Sequence, residues 1–217
     1  MATKPKKKIT FQDVERRRRE FSGALRDYAQ SGQRYHNPAM PMPAKYYASA
    51  QVLPNRLAMF DKLPKGKVIG ETGVGADNIA AEILNRAKPA KLHMFGTLES
   101  SLTDEALRDG LRSGCVVPHG EPYGLELADV PDGFFDALYL SGETAVDDVR
   151  ALLNLAARKT TADGTIMVNS YAVWSTASMY HCGTAKAVNE FCTQNGWKMT
   201  YLALDPMGYY NVALNPL

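Results

Sequence analysis

The sequence holds little that could staple or anchor a fold from outside its own core. Its 217 residues include three cysteines, Cys115, Cys182 and Cys192, too few and too scattered for a disulfide framework, and no Cys-x-x-Cys pair suggests zinc. No apolar run approaches the roughly 20 residues that a bilayer span requires. The lysine-rich start lacks the apolar core of a secretory signal. A reducing, cytoplasmic setting is the expectation, and no internal repeat is visible.

Strong net charge is missing too, since the formal value is only +2. The balance hides an asymmetry. Residues 1–34 carry ten Lys/Arg against four Asp/Glu, leaving fifteen against nineteen in the rest. Such a basic block is either a solvated face or a docking element for an acidic protein or an anionic membrane surface. No aromatic interleaving supports specific nucleic-acid binding.

With 45% hydrophobic residues, the chain can bury one full-sized core, so one α/β domain with an N-terminal extension is expected. The divisions read as a basic tail and helix over 1–34, a Pro/Met/Tyr-rich strap and helix over 35–62, and an α/β domain over 63–217. Thr10 can cap a helix bearing Phe11, Val14, Phe21, Leu25 and Tyr28 at helical spacing. Arg16 to Arg19 interrupt that stripe, which predicts a surface helix packed at both ends, and Ser31-Gly32 stops it. The prolines of the strap, from Pro38 to Pro43, forbid regular structure and suggest a lid or interface.

From Val68 onward the pattern alternates. Strands are expected near 67–71, 91–95, 115–118, 135–140 and 164–169, and helices near 77–87, 103–112 and 144–158. Such repetition implies a parallel sheet covered on both faces. Thr144 can cap the third of these helices, and Asp163-Gly164 marks the turn into the next strand. After a loop at 171–182 and one more helical face, strands near 198–204 and 209–214 form an antiparallel pair around Asp205-Pro206-Met207-Gly208.

The centre of the chain is Lys67-Val68-Ile69-Gly70-Glu71-Thr72-Gly73-Val74-Gly75-Ala76-Asp77-Asn78-Ile79. It reads as strand, glycine loop and helix. Gly73 and Gly75 permit a tight turn and close approach of a ligand to backbone, and Asp77 can cap the helix that begins there. Glu71, at the carboxyl end of the strand, stands where open α/β sheets place a group that holds a sugar or an amino acid.

The order of several segments carries a resemblance. Lys45-Tyr46-Tyr47-Ala48-Ser49-Ala50, Leu63-Pro64-Lys65-Gly66, Glu71-Thr72-Gly73-Val74-Gly75, Leu92-His93-Met94-Phe95, Pro131-Asp132-Gly133-Phe134-Phe135-Asp136, Leu138-Tyr139-Leu140 and Ala187-Val188-Asn189-Glu190-Phe191 resemble successive motifs of class I S-adenosylmethionine (SAM) dependent methyltransferases of the bacterial macrocin O-methyltransferase type. The resemblance runs from about residue 34 to the C-terminus. It implies an α/β, Rossmann-like, seven-stranded methyltransferase fold, a mostly parallel sheet with a C-terminal antiparallel hairpin, here with an N-terminal helical extension. SAM is the cofactor it implies, with Glu71, Gly73, Gly75, Gly96 and Glu121 on the cofactor side.

Departures from the family pattern are as informative. The family's carboxylate after the second strand, which takes the ribose hydroxyls, is replaced here by Gly96. Its Ile-Asp-Gly-Asp-His segment, source of a metal ligand and a base, appears as Leu140-Ser141-Gly142-Glu143-Thr144, and its later Asn/Asp-Asp-Tyr segment appears as Asn169-Ser170-Tyr171. Ser141, Asn169 and Ser170 are neutral, so a hard cation would be left uncompensated and no metal is expected.

Other candidates stand outside the motifs. His93 and His119 are placed at strand ends near the ligand crevice, and histidines so placed are either packed or catalytic. His181-Cys182 has the composition of a nucleophile and base, but adjacent side chains diverge. Trp174, Met179 and Tyr180 form either a pocket cover or an exposed patch. Two expectations arise for function. One is a pseudoenzyme that has lost metal-dependent catalysis and serves as a binding or structural subunit, with a protein partner or a second copy. The other is an active, metal-free O-methyltransferase for a small hydroxylated metabolite, with Tyr171, His181 or Glu143 meeting the acceptor.

Overall fold

The computed structural model describes residues 9–32, 39–73, 79–96, 102–120, 123–142, 145–175, 180–205 and 208–217. The chain divides into two compact units, Met1–Asn37 and Pro38–Leu217.

The first unit holds helix α1, Phe11–Gln30. Its start is fixed by a reciprocal cap: Thr10 Oγ1 accepts from the Asp13 amide at 3.3 Å, and Asp13 Oδ2 accepts from the Thr10 amide at 3.1 Å. The Thr10 hydroxyl, which donates to Asp13 Oδ2 at 2.7 Å, and after it the Thr10 amide hold the Asp13 carboxyl below the usual range. Arg16 pairs with Asp13 at 2.9 Å and Arg18 with Glu15 at 3.4 Å, one turn apart on the same helix. None of the residues of α1 is buried.

The second unit is built on one eight-stranded sheet. Its strands are β1 (Gln51–Leu53), β2 (Val68–Thr72), β3 (Lys91–Phe95), β4 (Val116–His119), β5 (Phe135–Leu140), β6 (Thr160–Val168), β9 (Trp197–Leu204) and β10 (Tyr210–Pro216). A separate ribbon pairs β7 (Trp174–Ser175) with β8 (Tyr180–His181). The order across the sheet is β1-β9-β10-β6-β5-β2-β3-β4. Every pairing is parallel except those of β10, which runs antiparallel to both β6 and β9. Seven of the strands are those expected, and the terminal pair is the expected hairpin.

Helices cover both faces, as a buried parallel sheet requires. They are α2 (Arg56–Phe60), α3 (Ile79–Ala87), α4 (Glu105–Arg112), α5 (Tyr123–Asp129), α6 (Val146–Lys159) and α7 (Thr184–Asn195). Strand alternation sends Ile69, Ala137, Tyr139 and Met167 to the side of α2, α3 and α4. It sends Leu138, Leu140, Ile166 and Val168 to the side of α5, α6 and α7. Local signals agree: Asp104 Oδ1 accepts from the Ala106 amide at 2.9 Å to open α4, and Gly196, at φ +68°, closes α7 in the left-handed region. Each fully buried Leu, Ile or Phe is worth roughly 1.5–3 kcal/mol, against roughly 0–1 kcal/mol for an exposed ion pair, so the two apolar layers dominate stability.

Four local readings change. The strap contains an edge strand, β1, and a 3-10 turn at Ala44–Tyr46; the proline run Pro38–Pro43 ends before either begins, and Pro54 follows β1. Asp163-Gly164 lies inside β6, where the pairing with β5 shifts register, so the turn residues form a bulge. The loop expected at 171–182 carries the ribbon. Ala145 occupies the cap position of α6 with no side-chain cap, while Thr144, like Asp77, lies outside the described residues.

Candidate functional site

Strand order reverses between β2 and β5, since β3 and β4 lie to one side and β6 to the other. Such a reversal opens a crevice at the carboxyl ends of the strands. Glu71 and Thr72 end β2 there, opposite Tyr139 and Leu140 of β5.

Gly73 leaves β2 at φ +75°. A Cβ at that position would lie 2.2 Å from the Ser141 carbonyl oxygen and 2.6 Å from its carbonyl carbon. Only glycine fits. The Ser141 hydroxyl lies 2.6 Å from the Thr72 carbonyl oxygen and 2.7 Å from that of Gly73, a donor shared between two acceptors that ties the ends of β2 and β5 together. Gly75 lies outside the described residues.

Glu71 is only 3% exposed, and among the described residues its Oε2 has no hydrogen-bond partner. Burial, with nothing to offset it, pushes the carboxyl up to about 8. A buried acid at a strand end, short of one donor, is poised to accept a ligand group.

On the face of the sheet opposite Glu71, β3 and β4 place two histidines together. His119 ends β4, whereas His93 sits in the middle of β3 and not at its end. His93 Nδ1 and His119 Nε2 are 2.9 Å apart. The His119 ring stacks on Phe95 at 4.3 Å and 15°, and Phe134 and Phe135 meet His93 edge-on at 5.3 and 5.5 Å. Burial first, then the neighbouring His119 and Lys91 charges, push the His93 pKa down to about 4. Burial also lowers His119, opposed by Glu126, whose Oε2 stands 3.9 Å from His119 Nδ1. At neutral pH both rings are neutral, one donating to the other. Gly96 comes after β3 at φ +80°, bringing no carboxylate, and Glu121 lies outside the described residues.

At the positions the family pattern gives to a metal, Ser141 and Asn169 line a space of about 10 Å³ with Leu140, Val149, Leu152 and Val168, room for about one water. Ser170 is left-handed at φ +58°, with its amide donating to Asn169 Oδ1 at 2.8 Å. Among the described residues no three His, Cys, Asp or Glu side chains gather where a metal could be held. Glu143 lies outside the described residues.

Tyr171 is next along the chain. Its hydroxyl donates to Asn189 Oδ1 at 2.8 Å, and burial raises its pKa against the lowering effect of that bond. His181 Nδ1 is 3.4 Å from the Val173 carbonyl, while Cys182 Sγ reaches the Ser170 carbonyl at 3.3 Å and Thr184 Oγ1 at 3.2 Å. The two side chains engage different partners, so they are not brought together as a nucleophile and base. Trp174 lies opposite His181 in the ribbon, rings 6.3 Å apart; Met179 lies outside the described residues.

The arrangement has counterparts among solved structures. An O-methyltransferase candidate from Klebsiella pneumoniae matches with a TM-score of 0.56 at 15% identity, over 75% of this chain and 79% of that one. The pyocyanin biosynthetic protein PhzM matches with a TM-score of 0.54 at 18% identity, over 73% of this chain and 54% of PhzM. The chain has the class I methyltransferase fold. A third structure, the Burkholderia thailandensis 1,6-didemethyltoxoflavin-N1-methyltransferase, solved with 1,6-didemethyltoxoflavin and S-adenosylhomocysteine, matches at 0.51 and 14% identity over 70% of this chain and 72% of that one. This chain spans about half the length of PhzM. No protein-family model matches the sequence, and no curated protein does either.

Within the methyltransferase fold, Glu71, Gly73 and Ser141 meet at one crevice, with Gly96 at the end of the next strand. Tyr171 lies after β6, on the side of Asn189 and α7. Reading the sequence missed Thr72 and Phe95 as site residues, and the pairing of His93 with His119.

Proposed function

We propose that this chain binds SAM at the carboxyl ends of β2 and β5 and transfers its methyl group to a small acceptor without a metal ion. The supporting observation is the combination of Glu71, buried with one oxygen lacking a partner among the described residues, and Gly73, where a Cβ would meet the Ser141 carbonyl. Both fit a nucleoside amino acid, whose hydroxyls and ammonium are donors and whose backbone contact needs a glycine turn. When bound, SAM supplies an activated sulfonium methyl group.

The chain's own residues then do three things. Glu71 accepts from the donor groups of the cofactor, and binding draws its carboxyl toward the ionised form. Gly73 lets the backbone approach. The Ser141 hydroxyl holds the two strand ends at fixed separation, which serves orientation, and methyl transfer depends on orientation more than on a strong base. Gly75 and Glu121 join the set on the family pattern.

One observation favours a second reading. Ser141 uses its hydroxyl on the Thr72 and Gly73 carbonyls, and Gly96 brings no ribose acceptor, which suits a fold retained as a binding or structural subunit. In that reading the basic N-terminal segment, residues 1–34, docks on an acidic protein or anionic membrane surface. Transfer of labelled methyl groups to a panel of phenols and alcohols separates the two: turnover supports the first, and tight SAM binding without turnover supports the second. Loss of SAM binding in Glu71→Gln supports both; unchanged binding contradicts both.

A further inference from the structure

A second opening, of about 450 Å³, lies on the flank of the sheet, away from Glu71 and Gly73. Its walls come from the strap, β1, β9 and α7, through Met42, Tyr47, Val52, Leu202, Tyr171 and Asn189 among others. The strap is fastened to α7 at two points. Tyr46 Oη donates to the Thr193 carbonyl at 3.3 Å, and Asn189 Nδ2 donates to the Met40 carbonyl at 2.7 Å. The volume falls in the range of small-molecule sites, roughly 300–1,000 Å³.

The lining is apolar with one polar corner, and that corner has a determined chemistry. Asn189, 7% exposed, is oriented by its partners. The Met40 carbonyl can only accept, so the amide nitrogen faces it and the amide oxygen takes the Tyr171 hydroxyl. One Asn189 N–H is thereby committed and the second remains to donate. The Tyr171 oxygen has given its hydrogen to Asn189 and keeps its lone pairs to accept. A donor and an acceptor side by side suit a ligand group that both accepts and donates, which is a hydroxyl. A carboxylate could satisfy only the amide and would set its lone pairs against those of Tyr171. Among the described residues no Lys, Arg or His belongs to the lining to compensate its charge.

The geometry points to a second small-molecule site on this flank, taking an apolar alcohol or phenol whose hydroxyl sits between Tyr171 and Asn189 and whose hydrocarbon part lies among Met42, Val52 and Leu202. The methionine thioethers and the aromatic ring of Tyr47 suit a flat ring system. This site stands independently of the crevice at Gly73 and does not require methyl transfer.

The test uses three ring-matched probes on the full chain: 2-naphthol, naphthalene and 2-naphthoate, with binding read by probe fluorescence. 2-Naphthol should bind saturably and more tightly than the other two. Tyr171→Phe should weaken 2-naphthol by about 3- to 10-fold, the size of one net hydrogen bond, and leave naphthalene unchanged. Ala50→Phe, which fills the cavity, and Val52→Asp, which places a charge at a position 65% exposed, should each abolish binding of 2-naphthol. Val52 is exposed enough that its substitution does not threaten the fold. Equal affinity for naphthol and naphthalene, preference for naphthoate, or unchanged binding in Val52→Asp would overturn the site. The crevice is read separately through SAM binding, which these variants should not alter.

Discussion

Ser141 and Gly73 are joined by a hydrogen bond and a steric limit at once: the serine hydroxyl lies 2.7 Å from the glycine carbonyl oxygen, and a Cβ on the glycine would stand 2.2 Å from the serine carbonyl oxygen. The two backbones therefore sit as close as a missing side chain allows. The crevice at the switch in strand order is defined by that contact. A serine that looks like a lost metal ligand in the sequence is, in the fold, the clasp between β2 and β5.

Gly73→Ala should damage stability and ligand binding together. The left-handed φ of +75° and the clash with backbone atoms both oppose a side chain. A loss of about 2–4 kcal/mol in denaturant unfolding is expected, along with loss of SAM binding. A wild-type midpoint in this variant would contradict the close contact.

Ser141→Ala removes only the clasp. It should lower stability by about 1 kcal/mol, and added Mg²⁺ should shift the melting of neither the variant nor the parent chain. A Mg²⁺-dependent shift that disappears in the variant would return Ser141 to the role of a ligand.

Glu71 sets a pH dependence of unusual sign for a carboxyl. Its pKa of about 8 in the folded chain lies above the ordinary 4.5. As pH rises through 4.5 the unfolded chain gives up the proton while the folded chain keeps it, so the acid's contribution to stability falls between pH 4.5 and 8 and levels off above. Glu71→Gln should remove that decline and be the more stable chain at pH 8.5, as urea titrations at several pH values would reveal. A carboxyl titrating near 4.5 would leave the two curves parallel.

His93 acts in the opposite direction. With its pKa pushed from 6.5 to about 4, the unfolded chain binds a proton that the folded chain refuses, so stability falls as pH drops from 6.5 toward 4. His119, lowered by the same burial, adds to the slope. The difference in unfolding free energy between the parent chain and His93→Gln should narrow across that window; a constant difference would mean that the ring titrates normally.

Much of the fold was legible because the strands and helices of 68–214 repeat a strong pattern: the short apolar run Val68-Ile69 leads through Gly70 to the glycine turn at Gly73, and Val149, Leu152, Leu153 and Ala156 keep helical spacing. β1 was not legible, because three residues, Gln51-Val52-Leu53, cannot display a period, and their place beside β9 is a tertiary fact. α5 escaped for a related reason, being seven residues long with Gly124 inside. In the site, Glu71 and Gly73 announced themselves through the turn chemistry of a strand-loop-helix. The pairing of His93 with His119 depends on the register between β3 and β4, and the Asn189 link to Met40 spans 149 positions of chain, so neither leaves a local trace.

The central claim is a nucleoside site that works without a metal, and calorimetric titration of SAM into the full chain, once with a chelator and once with Mg²⁺, tests it most directly. Saturable binding of equal affinity in both buffers, lost in Glu71→Gln, is the predicted result. No binding, or binding that appears only with Mg²⁺, would contradict it.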